Sequence, residues 1–238
     1  MLTGEFIEAI QQALVDLCSG KFVLVYDDDK REAETDFFMA GEFVTPKSVR
    51  TMRKEGGGLI FIMISHEIGK QFDLPFLADL YKNVEDSHPI LRSLVANDIP
   101  YDTKSSFSLY INHRKTFTGI TDNDRSTTMR EFARLAKRMK NKPTNDSIGL
   151  LGESFRTPGH VPICIASERP LQSRFGHTEL AVALATLSGL TPVVGGCEMM
   201  GERGKALSKT QAQSYAKEHH LTFLEGKDII KSWKTWSE

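Results

Sequence analysis

The chain has 238 residues, 40% of them hydrophobic and 26% charged, and 30 Lys and Arg against 31 Asp and Glu leave a net charge of −1. That length makes one domain the leading count, with two small ones possible, and allows a substantial core without disulfides; the balanced charge excludes the strong basic excess of a nucleic-acid-binding protein. Three cysteines, Cys18, Cys164 and Cys197, stand far apart and odd in number, which argues against a disulfide framework and a Cys-rich zinc site.

The N-terminus carries acidic residues at helical spacing, not a basic start followed by an apolar run, so no signal peptide is expected. No apolar stretch approaches the roughly 20 residues of a membrane span. These features predict a cytoplasmic protein in a reducing compartment, with no membrane and no nucleic acid among its partners.

Phe6, Ile7, Ile10, Ala13, Leu14 and Leu17 recur at helical spacing and predict an opening amphipathic helix, stopped at Gly20. Residues 22–26 (FVLVY) read as a short buried strand. An acidic segment follows, then a second apolar run at 37–40. Residues 45–54 read as a helix with Thr45 as cap and Pro46 in its first turn. The glycines at 56–58 precede a strand at 59–64. Residues 73–103 lack clear elements, and a stretch of that length is more often functional than filler. Residues 106–112 alternate like a strand, 116–124 read as a loop, 125–139 as a helix and 140–152 as a flexible surface loop. The last third repeats strand then helix: strand 161–166, helix 178–188 closed by Gly189, strand 192–197, and helices 209–219 and 229–236. The alternation predicts one α/β (α+β) domain over residues 1–238, a mixed sheet flanked by helices.

Five segments carry residue types suited to chemistry. Residues 27–36 hold six carboxylates, Asp27, Asp28, Asp29, Glu32, Glu34 and Asp36. If 32–36 is extended, Glu32, Glu34 and Asp36 share a face, and a hard cation such as Mg2+ relieves their repulsion. Spacing alone leaves a solvated acidic turn open. Arg174, Phe175, Gly176, His177, Thr178 and Glu179 open a helix, where free N–H groups and an Arg suit a phosphate and His177 suits a metal. A Thr-capped helix with a surface Arg explains the same letters. A Pro-Gly turn sets His160 before a strand, either as a proton carrier or as an ordinary surface histidine. Glu198 follows a strand end, where partial burial raises a carboxyl pKa for acid–base work, or else it caps a turn. Thr118 lies in TGITDNDR, whose hydroxyls and Arg suit phosphate or sugar hydroxyls, or form a capped polar loop. Together these are the parts of a sugar-phosphate enzyme working through an enediol; isomerase, aldolase, lyase and a non-catalytic regulator all remain open on this evidence.

The segments stand in order as REAETD, GGLI, TGITDNDR, PGHV, RFGHTE and CEMMG. That series resembles the 3,4-dihydroxy-2-butanone 4-phosphate synthase family, most closely its archaeal branch, from about residue 20 to about residue 230. The resemblance implies a homodimer with active sites near the subunit interface. It also implies conversion of ribulose 5-phosphate into 3,4-dihydroxy-2-butanone 4-phosphate and formate on the way to riboflavin, with Mg2+, for which Mn2+ substitutes. Carried over by motif, Glu32 and His177 match the metal ligands. Arg31, Glu32 and Asp36 match substrate contacts, as do Thr118, Arg174, Phe175, Gly176, His177, Thr178 and Glu198. His160 and Glu198 match the catalytic positions. Asp29, Thr35 and Phe61 depart from the residues the family often carries there, Glu, Gly and Cys. Without the cysteines of the family's zinc-binding second domain, the chain is expected to be monofunctional.

Overall fold

The computed structural model describes residues 4–102 and 104–237, with side chains from residue 8 onward, so Phe6 and Ile7 of the predicted first helix lie outside the described side chains. In chain order the elements are α1 (Gly4–Cys18), β1 (Val23–Tyr26), β2 (Thr35–Ala40), α2 (Pro46–Thr51), β3 (Gly57–Ile64), α3 (His66–Gln71), α4 (Leu77–Val84), α5 (Ile90–Ser93), β4 (Phe107–His113), α6 (Asp122–Met139), α7 (Thr144–Ser154), β5 (Phe155–Ile165), α8 (His177–Leu187), β6 (Val193–Met199), α9 (Lys209–Glu218), β7 (Thr222–Glu225) and α10 (Gly226–Ser237).

The strands form one sheet in the order β4-β5-β3-β6-β2-β1-β7. It is mixed, since β1/β7 and β3/β5 are parallel and the other neighbours antiparallel. Both faces are covered, which is why β1 and β2 are buried along their whole length. Strand alternation divides the side chains between two cores. Phe37, Met39, Ile60, Ile62 and Ile64 meet Met129 and Phe132 of α6 on one face. Phe38, Phe61 and Met63 meet Leu17 of α1, Leu180 and Leu184 of α8 and Ile229 of α10 on the other. Each such large apolar side chain contributes roughly 1.5–3 kcal/mol on full burial.

The register brings several strand ends together. Tyr26 ends β1 beside Thr35, which opens β2; Asp36 pairs with Glu198 near the end of β6; and Gly57, opening β3, pairs with Met199. The first turn of α8 lies over this end of the sheet, because the α8 apolar face packs on Phe38, Phe61 and Met63.

Three expectations change. The predicted loop 140–152 contains α7. Its glycines weaken helix propensity, but Leu150 and Leu151 pack on the core and Gln71 Nε2 donates to the buried Ser147 Oγ at 2.6 Å, so tertiary contact overrides the local preference. The stretch 73–103 contains α4 and α5, which have no buried residues and so left no strong apolar pattern; residue 103 is outside the described residues. The edge strand β7 was not expected, being four residues long with only Leu224 fully buried.

Strand β5 begins six residues earlier than the predicted 161. Ile111 pairs with Val161 but Asn112 pairs with Arg156, so Thr157, Pro158, Gly159 and His160 bulge from the strand, with a cis Thr157–Pro158 bond. Gly159 allows this: a Cβ there would lie 2.1 Å from the Ile111 carbonyl carbon and 2.4 Å from Asn112 N. Gly159→Ala should therefore force β4 and β5 apart and destabilise the protein by roughly 1–3 kcal/mol, the usual range for overpacking. Denaturant titration checks this, and an unchanged midpoint would mean the strands yield freely.

Candidate active site

The acidic segment is a knotted turn, not a free coil. Asp27 is buried and its carboxylate accepts three N–H groups: Glu32 N and Arg31 Nη1 on Oδ2 at 3.1 and 3.3 Å, and Glu34 N on Oδ1 at 3.1 Å. Ala33 has φ +54, so residues 32–36 are not one extended run, and the predicted common face is made by a turn instead. The turn still converges its charges. Glu34 has its pKa raised by burial and then by Glu32 and Glu198.

Opposite the turn stands His177, the first residue of α8. Its Nδ1 lies 3.2 Å from Glu32 Oε2 and its Nε2 lies 3.6 Å from Asp36 Oδ1. Burial by itself lowers the His177 pKa, but Asp36, the Glu32 contact and Asp27 outweigh it and push it up to about 9. Burial raises the Asp36 pKa well above the ordinary carboxylate value, with Glu198 and Glu32 adding to the rise and His177 opposing it. Glu32 moves the other way, because its bond and charge interaction with His177, helped by Arg31 and Arg174, overcome its desolvation.

Both Asp36 oxygens and His177 Nε2 are buried with no hydrogen-bond partner. Buried polar groups of this kind are normally satisfied. Asp27, Glu32 and His177 each offer one ligand atom within 4.8 Å of the others. Carboxylate oxygens with one imidazole suit a divalent cation, so the residues fit the metal the motifs imply. The oxygens of Asp27 already serve the turn, which leaves Glu32, His177 and the unpartnered Asp36 as the freer donors.

Arg174 precedes α8. Its Nη1 donates to Glu179 Oε2 at 2.6 Å and its Nε to Asp102 Oδ2 at 2.6 Å. Glu179 is fully buried and its other oxygen accepts Ser167 N at 2.9 Å, so it anchors the guanidinium. Gly176 caps α8 with no side-chain bond, and a Cβ on it would lie 2.8 Å from Arg174 Nη1 and 3.1 Å from Arg31 Nη1. The glycine is what lets two guanidiniums approach a helix N-terminus. Thr178 lies inside the first turn, with Oγ1 3.4 Å from Ser106 Oγ, so it is not the helix cap.

Glu198 closes the cluster. Its Oε2 accepts Leu59 N at 2.7 Å. Burial raises its pKa, against the opposing pull of backbone N–H groups and His177. A cavity of about 210 Å3 is lined by Glu32, Asp36, Arg174, His177, Thr178 and Glu198, with Phe61 in its wall. Arg31 stands at its edge through ion pairs with Glu32 and Asp102.

Within one chain, five of the expected site residues do not line this cavity: Arg31 and Gly176 border it, and Phe175, His160 and Thr118 stay outside it. Phe175 is 40% exposed. His160 and Thr118 form a separate cluster: Asn112 Oδ1 accepts His160 N at 2.9 Å, while Asn112 Nδ2 lies 3.0 Å from His160 Nδ1 and donates to Thr118 O at 3.4 Å. Beside them Phe117 is 92% exposed. Asp27, Asp102 and Glu179 were given no role from sequence. Glu179 stood inside a quoted motif, but Asp102 had no local signal. A larger cavity, about 940 Å3, opens at the far end of the sheet between Ser65, Phe72, Lys137, Thr191 and Trp233 and holds none of the nominated residues.

Comparison with known proteins places the chain in a family. Residues 11–232 match the family model described as 3,4-dihydroxy-2-butanone 4-phosphate synthase. Proteins of that name from Methanothermobacter thermautotrophicus and Methanosarcina acetivorans are 43% and 42% identical, covering 96% and 97% of this chain and 97% and 93% of theirs. The crystal structure of the Candida albicans 3,4-dihydroxy-2-butanone 4-phosphate synthase superposes with a TM-score of 0.70 at 26% identity, over 94% of this chain and 96% of that one. A structure of such a synthase in complex with two magnesium ions shares the fold, with a TM-score of 0.73 at 24% identity over 95% of this chain and 96% of that one. With a family match across nearly the whole chain and archaeal relatives above 40% identity, the chain belongs to the 3,4-dihydroxy-2-butanone 4-phosphate synthase family.

Proposed function

We propose that residues 1–238 act as one enzyme domain that converts ribulose 5-phosphate into 3,4-dihydroxy-2-butanone 4-phosphate and formate, a carbon–carbon lyase reaction of riboflavin biosynthesis in the cytoplasm. The observation that carries this reading is the meeting of Glu32, Asp36 and His177 with Arg174, Thr178 and Glu198 around one cavity. The first N–H groups of α8, Arg174 and the Thr178 hydroxyl hold the phosphate at the positive end of the helix. Glu32 and His177 would hold Mg2+, or Mn2+ in its place, with Asp36 alongside, and a cation bound there would offset the negative charge that develops on the substrate's oxygens.

Glu198 moves protons. Its Oε2 is held by Leu59 N–H, so Oε1 is the oxygen free to take a proton from a sugar carbon and return it. Its raised pKa brings it nearer the working pH, as acid–base exchange requires. Arg31, itself fixed by Asp27, steadies Glu32.

His160 and Thr118 act in the same reaction from a second copy of the chain. Their separation from the cavity, and the exposed Phe117 and Ile120 beside them, support a homodimer in which this cluster packs against the partner's cavity.

The purified protein should release formate from ribulose 5-phosphate with Mg2+ and lose that activity to a chelator. An isomerised or merely bound sugar phosphate would overturn the lyase assignment. Glu198→Gln should lower kcat by about 100-fold or more, the scale of acid–base catalysis, with phosphate affinity kept; surviving formate release would remove Glu198 from the chemistry. His160→Ala and His177→Ala should each be inactive. Mixed and allowed to exchange, they should recover up to about a quarter of wild-type activity, since half the dimers then carry one intact site of two. No recovery would place His160 in the site of its own chain.

A further inference from the structure

Asp102 has no part in the mechanism above. It follows α5 on the stretch where Ala96, Ile99, Tyr101 and Asp102 line the cavity mouth. Its carboxylate is 11% exposed, and one oxygen, Oδ2, engages both Nε and Nη2 of Arg174, at 2.6 and 2.5 Å. The same oxygen lies 3.7 Å from Nη2 of Arg31, whose guanidinium stacks 5.0 Å from the Tyr101 ring centroid. Arg31 Nη2 is buried without a hydrogen bond.

Asp102 therefore occupies the place an anion takes between two guanidiniums. Arg174 offers its forked Nε/Nη2 edge, the one suited to two parallel bonds with a phosphate, and Asp102 fills it. Electrostatics point the same way. In the metal-free protein Arg31 and Arg174 lie within ion-pair distance of Asp27, Glu32, Asp102 and Glu179, with His177 beside Glu32, so four carboxylates still outnumber the cations that face them. A phosphate dianion entering that set meets net negative charge unless a carboxylate leaves. Glu179 is fully buried and tied to Ser167 N, whereas Asp102 sits on the covering stretch. The cavity beneath, about 210 Å3, is also smaller than ordinary ligand sites of roughly 300–1,000 Å3.

We propose that Asp102 is a specificity-determining residue: it stands in for the phosphate on Arg174 and Arg31 in the empty enzyme and yields to a phosphate ester, so that an unphosphorylated sugar does not open the site. This rests on the reading of Arg174 as the phosphate anchor.

The test is calorimetric titration of inorganic phosphate into the metal-free wild-type protein, Asp102→Asn and Arg174→Gln. Asp102→Asn should bind phosphate roughly tenfold tighter, the scale of one charge-assisted contact, and its KM for ribulose 5-phosphate should fall. Unphosphorylated ribulose should compete with substrate in Asp102→Asn and not in the wild type. Unchanged or weaker phosphate binding by Asp102→Asn, with binding still dependent on Arg174, would overturn the proposal and make Asp102 a support for Arg174. Phosphate binding that survives Arg174→Gln would overturn the anchor reading itself. The wild-type protein supplies a check that needs no variant: phosphate should speed amide exchange across residues 96–102, and slower exchange would contradict displacement.

Discussion

The carboxylate of Asp36 is buried and neither of its oxygens accepts a hydrogen bond, while the imidazole of His177 lies 3.6 Å away with its own Nε2 unpartnered. Leaving one buried polar group unsatisfied costs roughly 1–3 kcal/mol. The arrangement persists because neither residue is free to move. Asp36 is locked in β2 between β1 and β6, and His177 is fixed by the apolar packing of α8, through Leu180 and Leu184, on Phe38 and Met63. Apolar burial thus holds in place two polar groups whose burial is unfavourable by itself, and leaves open atoms whose chemistry suits a cation.

Around that pair the protein spends its hydrogen bonds on orientation. The Asp27 carboxylate ties the acidic turn by two backbone N–H groups and Arg31, which sets where Glu32 points. Glu179 does the same for Arg174, and Leu59 N–H for Glu198. Like charges crowd here at close range, so each must be held by a neighbour of opposite sign or by a backbone dipole. Such supporting contacts separate a working constellation from a set of nearby polar residues.

Much of this was legible beforehand. The apolar runs at 22–26, 37–40 and 59–64 became the central strands, because a sheet covered on both faces leaves a strong local signal. The first turn of α8 and the strand end at Glu198 lay where the letters placed them. The failures share a cause. Strand β7 and helices α4 and α5 bury little, and α7 forms against its own glycines by packing Leu150 and Leu151 on the core. His160 was placed before its strand, but the bulge that carries it depends on how closely Gly159 approaches the β4 backbone.

The amino-acid sequence by itself determined the alternation of strands and helices, the supply of carboxylates, histidine and arginine, and their order along the chain. Those are local properties, set by side-chain periodicity and composition. Only the tertiary structure decided which charges share a cavity. Arg174 meets Asp102 across 72 positions, His177 meets Glu32 across 145, and Glu198 meets Leu59 across 139. Electrostatic and hydrogen-bonding partners are chosen by distance in space, and that distance is set by the register of the sheet and the docking of α8.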